Sequence, residues 1–256
     1  MGFFKKLFQG QQISEDEESR RMGSRCVSQK SVKEMSGDEQ RQYWFQSRDL
    51  TDLDERLRRM EELADAGFVS AYTTLIDALF ERADENNEKV PLDQLEYWAR
   101  RAADSGNICG HYYLGLVYET PEYLQKDFET YMEKSLREYL LAMEKESEPA
   151  AQRLLFHWNR EFNSSQYTEE EKAVAQANYR DMIEDYLAPE IERLKEQDDE
   201  KACCALGQMY FYGIIFEQNL LKAREYFQRL ADAGYSFGQR MLTNPLFDED
   251  DGDEQE

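Results

Sequence analysis

The sequence predicts an all-α fold made of stacked helix pairs, and three observations support this. The 256 residues include only 13 glycines and 5 prolines, too few for the turns of a protein built from many short strands. Apolar residues recur at helical spacing, and no stretch shows sustained alternation of β-branched residues. A short motif also returns at intervals of 36 to 52 residues, a range that indicates stacked two-helix units.

Helix-start signals mark several of the predicted helices. Ser36 with Glu39, and Thr168 with Glu171, fit the capping box, in which a hydroxyl and a carboxylate satisfy free amides at a helix start. Pro91 suits the first turn of a helix. Asn219 is placed to cap the helix that follows it. Whether residues 168–195 form one helix or two stays open at this point.

The repeated motif ends a helix. It occurs as Leu63–Gly67, Ala102–Gly106 and Leu230–Gly234, each with the pattern Leu/Ala-Ala-Asp-Ala/Ser-Gly. Its glycine stands where a left-handed residue closes a helix. Two weaker copies place Glu146 and Asp198 at the glycine position, so that the five anchors are 39, 40, 52 and 36 residues apart.

Small residues and leucines follow the anchors in register. Four residues after each anchor stands a small residue: Ala71, Gly110, Ala150, Ala202 and Gly238. Eight residues after each anchor stands a leucine: Leu75, Leu114, Leu154, Leu206 and Leu242. Together with Gly115 and Gly207, the small residues predict close helix packing, with leucine and aromatic side chains filling the space between layers.

Two of these segments resemble a known family. Ala202–Tyr210, with Gly213, Lys222-Ala223 and Ala231–Gly234, is similar to the Sel1-like repeat pattern A-x-x-x-L-G-x-x-Y-x-x-G … K-A-x-x-W/Y … A-A-x-x-G. Gly110–Tyr118 gives a second match. The resemblance to these relatives of the tetratricopeptide repeats covers about residues 60 to 247. It is weakest between the anchors at 146 and 198, where the unit is long and lacks the L-G and Y-x-x-G signs.

The resemblance implies a right-handed α-solenoid of about four to five Sel1-like units. Its first helices would line a concave surface that binds another protein, without a cofactor. In each such helix, positions two, six and nine residues after the small residue are expected to face outward. The predicted partner-binding residues are Tyr112, Leu116, Glu119, Gln152, Phe156, Gln208 and Phe211. The alternative is that capping helices or a packed terminus cover them.

Net charge limits the function classes. The chain carries 54 acidic and 31 basic residues, a net charge of −23, which disfavours direct nucleic-acid binding. No apolar run approaches the ~20 residues needed to span a bilayer. The four cysteines include no CxxC pair, so no disulfide framework or zinc spacing is present. We therefore expect a soluble cytoplasmic protein.

Three stretches divide the chain by charge. Residues 1–35 are expected to be a loose arm, with seven basic and five acidic residues. Residues 36–247 form the predicted repeat domain and hold a net charge of −18. Residues 248–256 contain seven acids and no base, and should stay solvated as a tail.

The arm begins with an amphipathic motif. If this segment is helical, its phenylalanines could touch a lipid interface while its lysines meet anionic headgroups. The residues concerned are Phe3, Phe4, Lys5, Lys6 and Phe8. The alternative is a start segment that packs on the body or stays loose.

The histidines, cysteines and other residues that could carry enzyme chemistry form no recognisable catalytic or metal-binding motif in the sequence. His111 and His157 are the only histidines and have no metal-ligand spacing, so a partly buried or surface role is the better interpretation. Adjacent helical side chains point ~100° apart, so Cys203 and Cys204 are expected to be small apolar fillers. No glycine-rich phosphate loop, G-x-S-x-G or H-E-x-x-H motif occurs. The sequence predicts no enzyme, no metal and no cofactor.

Two function hypotheses follow. The first is a non-enzymatic scaffold or adaptor that holds a partner protein on the concave face. The second is an acidic inhibitor or immunity-type protein that neutralises one basic partner, such as a toxin, because the charge of the body would speed its encounter with a cationic surface.

Overall fold

The computed structural model describes residues 31–86, 91–161 and 168–247. Within these ranges the regular elements are twelve α-helices and one 3₁₀ turn, and no strand occurs, which confirms the all-α prediction. The chain divides into two compact units between Asn107 and Ile108. The amino-terminal motif, most of the predicted arm and the acidic tail lie outside the described residues.

The first unit follows a simple order of neighbouring helices. After the 3₁₀ turn Val32–Glu34 come α1 Gly37–Ser47, α2 Leu53–Asp65, α3 Val69–Asn86 and α4 Leu92–Asp104. Each α-helix packs against the next one along the chain. The core between them contains fully buried side chains such as Met60, Leu63, Ile76 and Leu95.

The second unit has α7 at its centre. Its helices are α5 Gly110–Tyr118, α6 Pro121–Lys126, α7 Phe128–Met143, α8 Glu148–Trp158, α9 Glu169–Gln197, α10 Glu200–Tyr212, α11 Leu220–Asp232 and α12 Ser236–Leu242. Helix α7 contacts α5, α6, α8, α9 and α10. Helix α10 lies between α9 and α11, and α12 packs on α11.

The helix starts predicted at Ser36, Thr168 and Asn219 are confirmed, and Pro91 stands one residue before its helix, at the N-cap. Both capping boxes form: the Glu39 amide donates to the Ser36 hydroxyl and the Glu171 amide to the Thr168 hydroxyl, and each glutamate accepts from the amide of its cap. Asn219 accepts from the Lys222 amide at 2.8 Å. Residues 169–197 form a single helix, which continues through Pro189.

All five anchors of the repeated motif adopt left-handed backbone conformations. Gly67, Gly106 and Gly234 have φ angles of 85°, 80° and 88°. Glu146 and Asp198, which replace glycine in the weak copies, have φ angles of 67° and 45°. The predicted register is therefore confirmed even where the glycine is missing, and there the chain accepts a backbone conformation that disfavours a side chain.

The hydrogen bonds of a strong and a weak copy are the same. After Gly67, the Phe68 amide donates to the Leu63 carbonyl at 2.9 Å. At the weak copy, the Ser147 amide donates to the Ala142 carbonyl at 3.1 Å. In each case the amide donates to the carbonyl five residues earlier. This is the outer hydrogen bond of a Schellman turn, which satisfies a carbonyl that the helix end leaves free.

Two internal glycines allow the close helix packing that the sequence predicts. A side chain at Gly115 on α5 would overlap the Tyr139 ring of α7. A Cβ atom at Gly207 on α10 would lie 2.7 Å from the Phe227 ring of α11. The Ser135 hydroxyl also donates to the Gly115 carbonyl at 2.9 Å, so the α5 backbone lies directly against α7.

Candidate protein-binding site

Two of the seven predicted partner-binding residues are exposed. Both lie on α8: Gln152 is exposed, and Phe156 keeps 50% of its surface accessible. They are four residues apart and so lie on one face of the helix. The outward stripe that the register predicts is therefore present on α8.

The outward orientation predicted for the other positions is wrong. On α5 all residues from Tyr112 to Tyr118 are buried. Tyr112 and Leu116 therefore face the interior and not the solvent. Tyr112 lies against the Tyr139 ring, with the ring centroids 6.0 Å apart. The Glu119 side chain, at the end of α5, is only 7% exposed.

On α10 the same expectation fails because neighbouring helices surround α10. Gln208 is fully buried, and its amide donates to the carbonyls of Met143 and Cys204, each at 3.1 Å. Phe211 is buried against Phe247 in the aromatic core formed by α10, α11 and α12. These side chains stabilise the second unit and are not available to a partner.

A buried ionic cluster lies behind the exposed face of α8. Arg153 and His157, one turn apart on α8, both donate to the Glu119 carboxylate. The distances are 3.0 Å from Arg153 Nε and 2.9 Å from His157 Nε2. On the other side of the imidazole ring, His157 Nδ1 lies 2.9 Å from the Tyr179 hydroxyl of α9. The cluster thus joins α5, α8 and α9.

Electrostatics in this cluster favour the ionised carboxylate. Burial alone would raise the pKa of Glu119, but the hydrogen bond from His157 and the positive charge of Arg153 lower it below the ordinary glutamate range. The Tyr139 phenol beside the cluster is fully buried, and this burial, together with the charge of Glu119, raises its pKa well above the usual value. Glu119 is therefore a charged group that fixes α8 in place.

The inner and outer faces of α8 are connected through Arg153. Its guanidinium carbon lies 4.8 Å from the centroid of the Phe156 ring. The His157 ring meets Phe156 edge to face, with the centroids 5.6 Å apart. Glu119 holds both Arg153 and His157. The exposed Phe156 ring therefore packs against two side chains whose positions are fixed, one of which is the cationic Arg153.

The remaining chemistry-bearing residues have structural contacts. His111 Nδ1 lies 2.7 Å from a carboxylate oxygen of Glu138, with both side chains about one-fifth exposed. Cys203 and Cys204 are buried, and burial raises the pKa of both thiols, as expected for apolar fillers. In the described part of the chain, no group of three or more potential ligands could hold a metal ion.

A second exposed feature was missed in the sequence. Phe128, the first residue of α7, keeps 42% of its surface accessible and stands between Asp127 and Glu129. Tyr186, on the neighbouring helix α9, is half-buried beside Asp185. An aromatic residue flanked by acids, as at 127–129, was the available signal, but the general abundance of acids obscured it.

Comparisons with known proteins identify no relative. No protein-family model, no curated protein and no solved structure matches this chain. The resemblance to the Sel1-like repeats therefore stays a prediction. Among the described residues, no helix combines the length and apolar character needed to cross a membrane.

Proposed function

We propose that this chain is a non-enzymatic scaffold or adaptor that binds a partner protein on the exposed face of α8. Phe156 carries the proposal, because half of its surface is open to solvent on a helix that buries its opposite face. The aromatic ring is the anchor, and Gln152 supplies adjacent hydrogen-bonding groups. Aromatic residues of this kind dominate the energetics of protein interfaces.

The buried cluster supports this role by making α8 rigid. Two α8 side chains, Arg153 and His157, are tied to Glu119, so the position of Phe156 is set before a partner arrives. A surface ordered in advance loses less conformational entropy on binding. Burying the exposed half of a phenylalanine ring contributes about 1 kcal/mol, so neighbouring contacts must add to the affinity.

The finer architecture is part of the same proposal. We infer a right-handed α-solenoid of about four to five Sel1-like repeats. The five left-handed turns in register support it, as do the consecutive helices that pack in pairs within each of the two compact units. We also infer a cytoplasmic location, supported by the free thiols of Cys109, Cys203 and Cys204.

Site-specific photocrosslinking tests the binding role. A p-benzoylphenylalanine residue replaces Phe156 in the full chain, which is irradiated in the cells that make the protein. The matched control carries the same residue at Leu221 on α11, which is 55% exposed in the same unit. A discrete protein adduct that forms from position 156 and not from position 221 supports the proposal. Equal adducts from both positions, or none from position 156, contradict it.

A further inference from the structure

An aromatic patch lies on α1 in the first unit. We define the α1 patch by Trp44 and Phe45 of α1, Arg48 directly after α1, and Phe68 directly before α3. The Trp44 ring contacts the Phe45 ring, with the centroids 4.9 Å apart, and the Phe68 ring, with the centroids 6.1 Å apart. The Arg48 guanidinium lies over both α1 rings, 4.8 Å from the centroid of Trp44 and 5.4 Å from that of Phe45. The patch is therefore one connected surface.

The open side of this patch is Phe45. Helix α1 carries three aromatic residues in succession, Tyr43, Trp44 and Phe45, and neighbouring side chains on a helix point ~100° apart. Tyr43 faces α2, where the Arg59 guanidinium lies 5.4 Å from its ring centroid. Trp44 faces the start of α3, and its Nε1 donates to the Thr74 hydroxyl at 3.2 Å. Phe45 lies ~200° around the helix from Tyr43, points away from α2 and keeps 37% of its surface exposed.

The chain enters the described residues beside this patch. Val32 is buried, and its carbonyl accepts from the Gln40 side-chain amide at 3.0 Å. Gln40 is one helical turn before Trp44 and so lies on the same side of α1. The segment that precedes Ser31 therefore begins about one turn of α1 away from the patch.

That preceding segment has an apolar cluster and the opposite charge. Its start holds four large apolar residues, Phe3, Phe4, Leu7 and Phe8. Residues 1–30 include six basic and four acidic side chains, whereas the described residues of the first unit include 17 acids and 9 bases. The 22 residues between the cluster and Ser31 can extend over ~70 Å, so chain length does not keep the cluster from the patch.

We infer that residues 3–8 dock on the α1 patch of the same molecule. The phenylalanine rings would pack on the open side of Phe45, while Lys5 and Lys6 would face solvent and the acidic unit. Because one chain carries both parts, the local concentration of the segment is about millimolar, which favours it over a second copy or a separate partner. Rings covered in this way are not available to a lipid surface. The α1 patch shares no residue with the Phe156 surface, so either proposal can fail without the other.

Photocrosslinking within the purified full chain tests this inference. A p-benzoylphenylalanine residue replaces Phe45, and a dilute mixture of unlabelled and isotope-labelled chain is irradiated, digested and analysed by mass spectrometry. The expected product joins position 45 to a peptide from residues 1–10 that carries the same label, which shows that both come from one molecule. The matched control places the crosslinker at Tyr97 on α4, which is 52% exposed in the same unit and should give no such product.

Variants in the segment show whether its phenylalanines make the contact. Phe4→Ser with Phe8→Ser should lower the crosslink yield about fivefold or more, because the apolar contact is lost. Gln11→Ser with Gln12→Ser, which changes polar residues of the same arm, should leave the yield unchanged. If both pairs lower the yield equally, the phenylalanines do not hold the segment on the patch and the inference is wrong.

The other outcomes also overturn the inference. These are a product that joins differently labelled chains, equal yields from positions 45 and 97, and no product from position 45. Should the variant at position 45 fail to fold by circular dichroism, the crosslinker at Phe4 decides, because this position lies outside the helical units. Crosslinks from position 4 to residues 41–48 or 68–74 then support the inference, and crosslinks elsewhere or none contradict it.

Discussion

Helices α8 and α10 begin in the same register but differ in what they expose. Ala150 and Ala202 are both fully buried, and the residue six positions later is Phe156 on α8 and Gln208 on α10. The phenylalanine is half exposed and the glutamine is fully buried, the reverse of the usual preference. This inversion shows that the number of neighbouring helices, and not the register alone, decides which positions face solvent.

The packing of the two helices explains the inversion. Helix α10 contacts α7, α8, α9 and α11, so it has neighbours on most sides. Helix α8 packs chiefly on α7 and α10, which leaves one face open. Inside α10 the NH2 group of Gln208 donates to two backbone carbonyls, while its Oε1 atom is buried without a hydrogen-bond partner among the described residues. The Phe156 ring on α8 packs with one side against Arg153 and His157 and leaves its other side open to solvent.

The largest expected effect is on the buried face of α8. Arg153→Ala removes a partner from a carboxylate that is only 7% exposed, and should lower the free energy of unfolding by about 3 kcal/mol. Urea denaturation followed by circular dichroism measures it. The control Arg240→Ala breaks an exposed pair with Glu148, whose side chains are 61% and 42% accessible, and should cost less than about 1 kcal/mol.

Acid gives a second check on the same pair. The folded pKa of Glu119 is lowered, so its contribution to stability is complete above the ordinary carboxyl pKa of 4.5 and is lost as the pH falls through the folded value. The cost of Arg153→Ala should therefore be constant from neutral pH down to this range and shrink below it. A cost that stays unchanged in acid would show that the Arg153 side chain acts by packing and not by charge.

The next largest effect is expected inside α10. Gln208→Phe introduces at position 208 the phenylalanine that α8 carries at position 156. Because the larger ring has to fit into a filled interior, the free energy of unfolding, measured by urea denaturation, should fall by about 2 kcal/mol. Gln208→Met keeps the volume and should cost less than about 1 kcal/mol, because the Met143 carbonyl also accepts from the Glu146 amide at 3.1 Å. If Gln208→Phe left the free energy of unfolding unchanged, the conclusion that position 208 lies in a filled interior, unlike position 156, would be wrong.

Local signals in the sequence predicted the helix ends well. The motif spacing predicted the helix ends at Glu146 and Asp198 although neither residue is a glycine, and both adopt the left-handed conformation. The outward stripe was predicted correctly only on α8, since a periodic pattern does not reveal how many helices surround each element. The ionic cluster could not be predicted, because Glu119 and Arg153 are 34 residues apart and meet only through tertiary packing.

The smallest expected change in stability is at Phe156 itself. Phe156→Gln places the α10 residue on the exposed face of α8, where only the half of the ring that is already buried is lost, so the free energy of unfolding should fall by about 1 kcal/mol. The same variant should abolish capture of the partner that position 156 crosslinks, as measured with a second crosslinker at Gln152. Loss of capture together with a loss of stability of about 1 kcal/mol or less would show that the ring serves chiefly a partner. A loss of stability above about 2 kcal/mol would instead assign Phe156 to the core and remove the difference between α8 and α10.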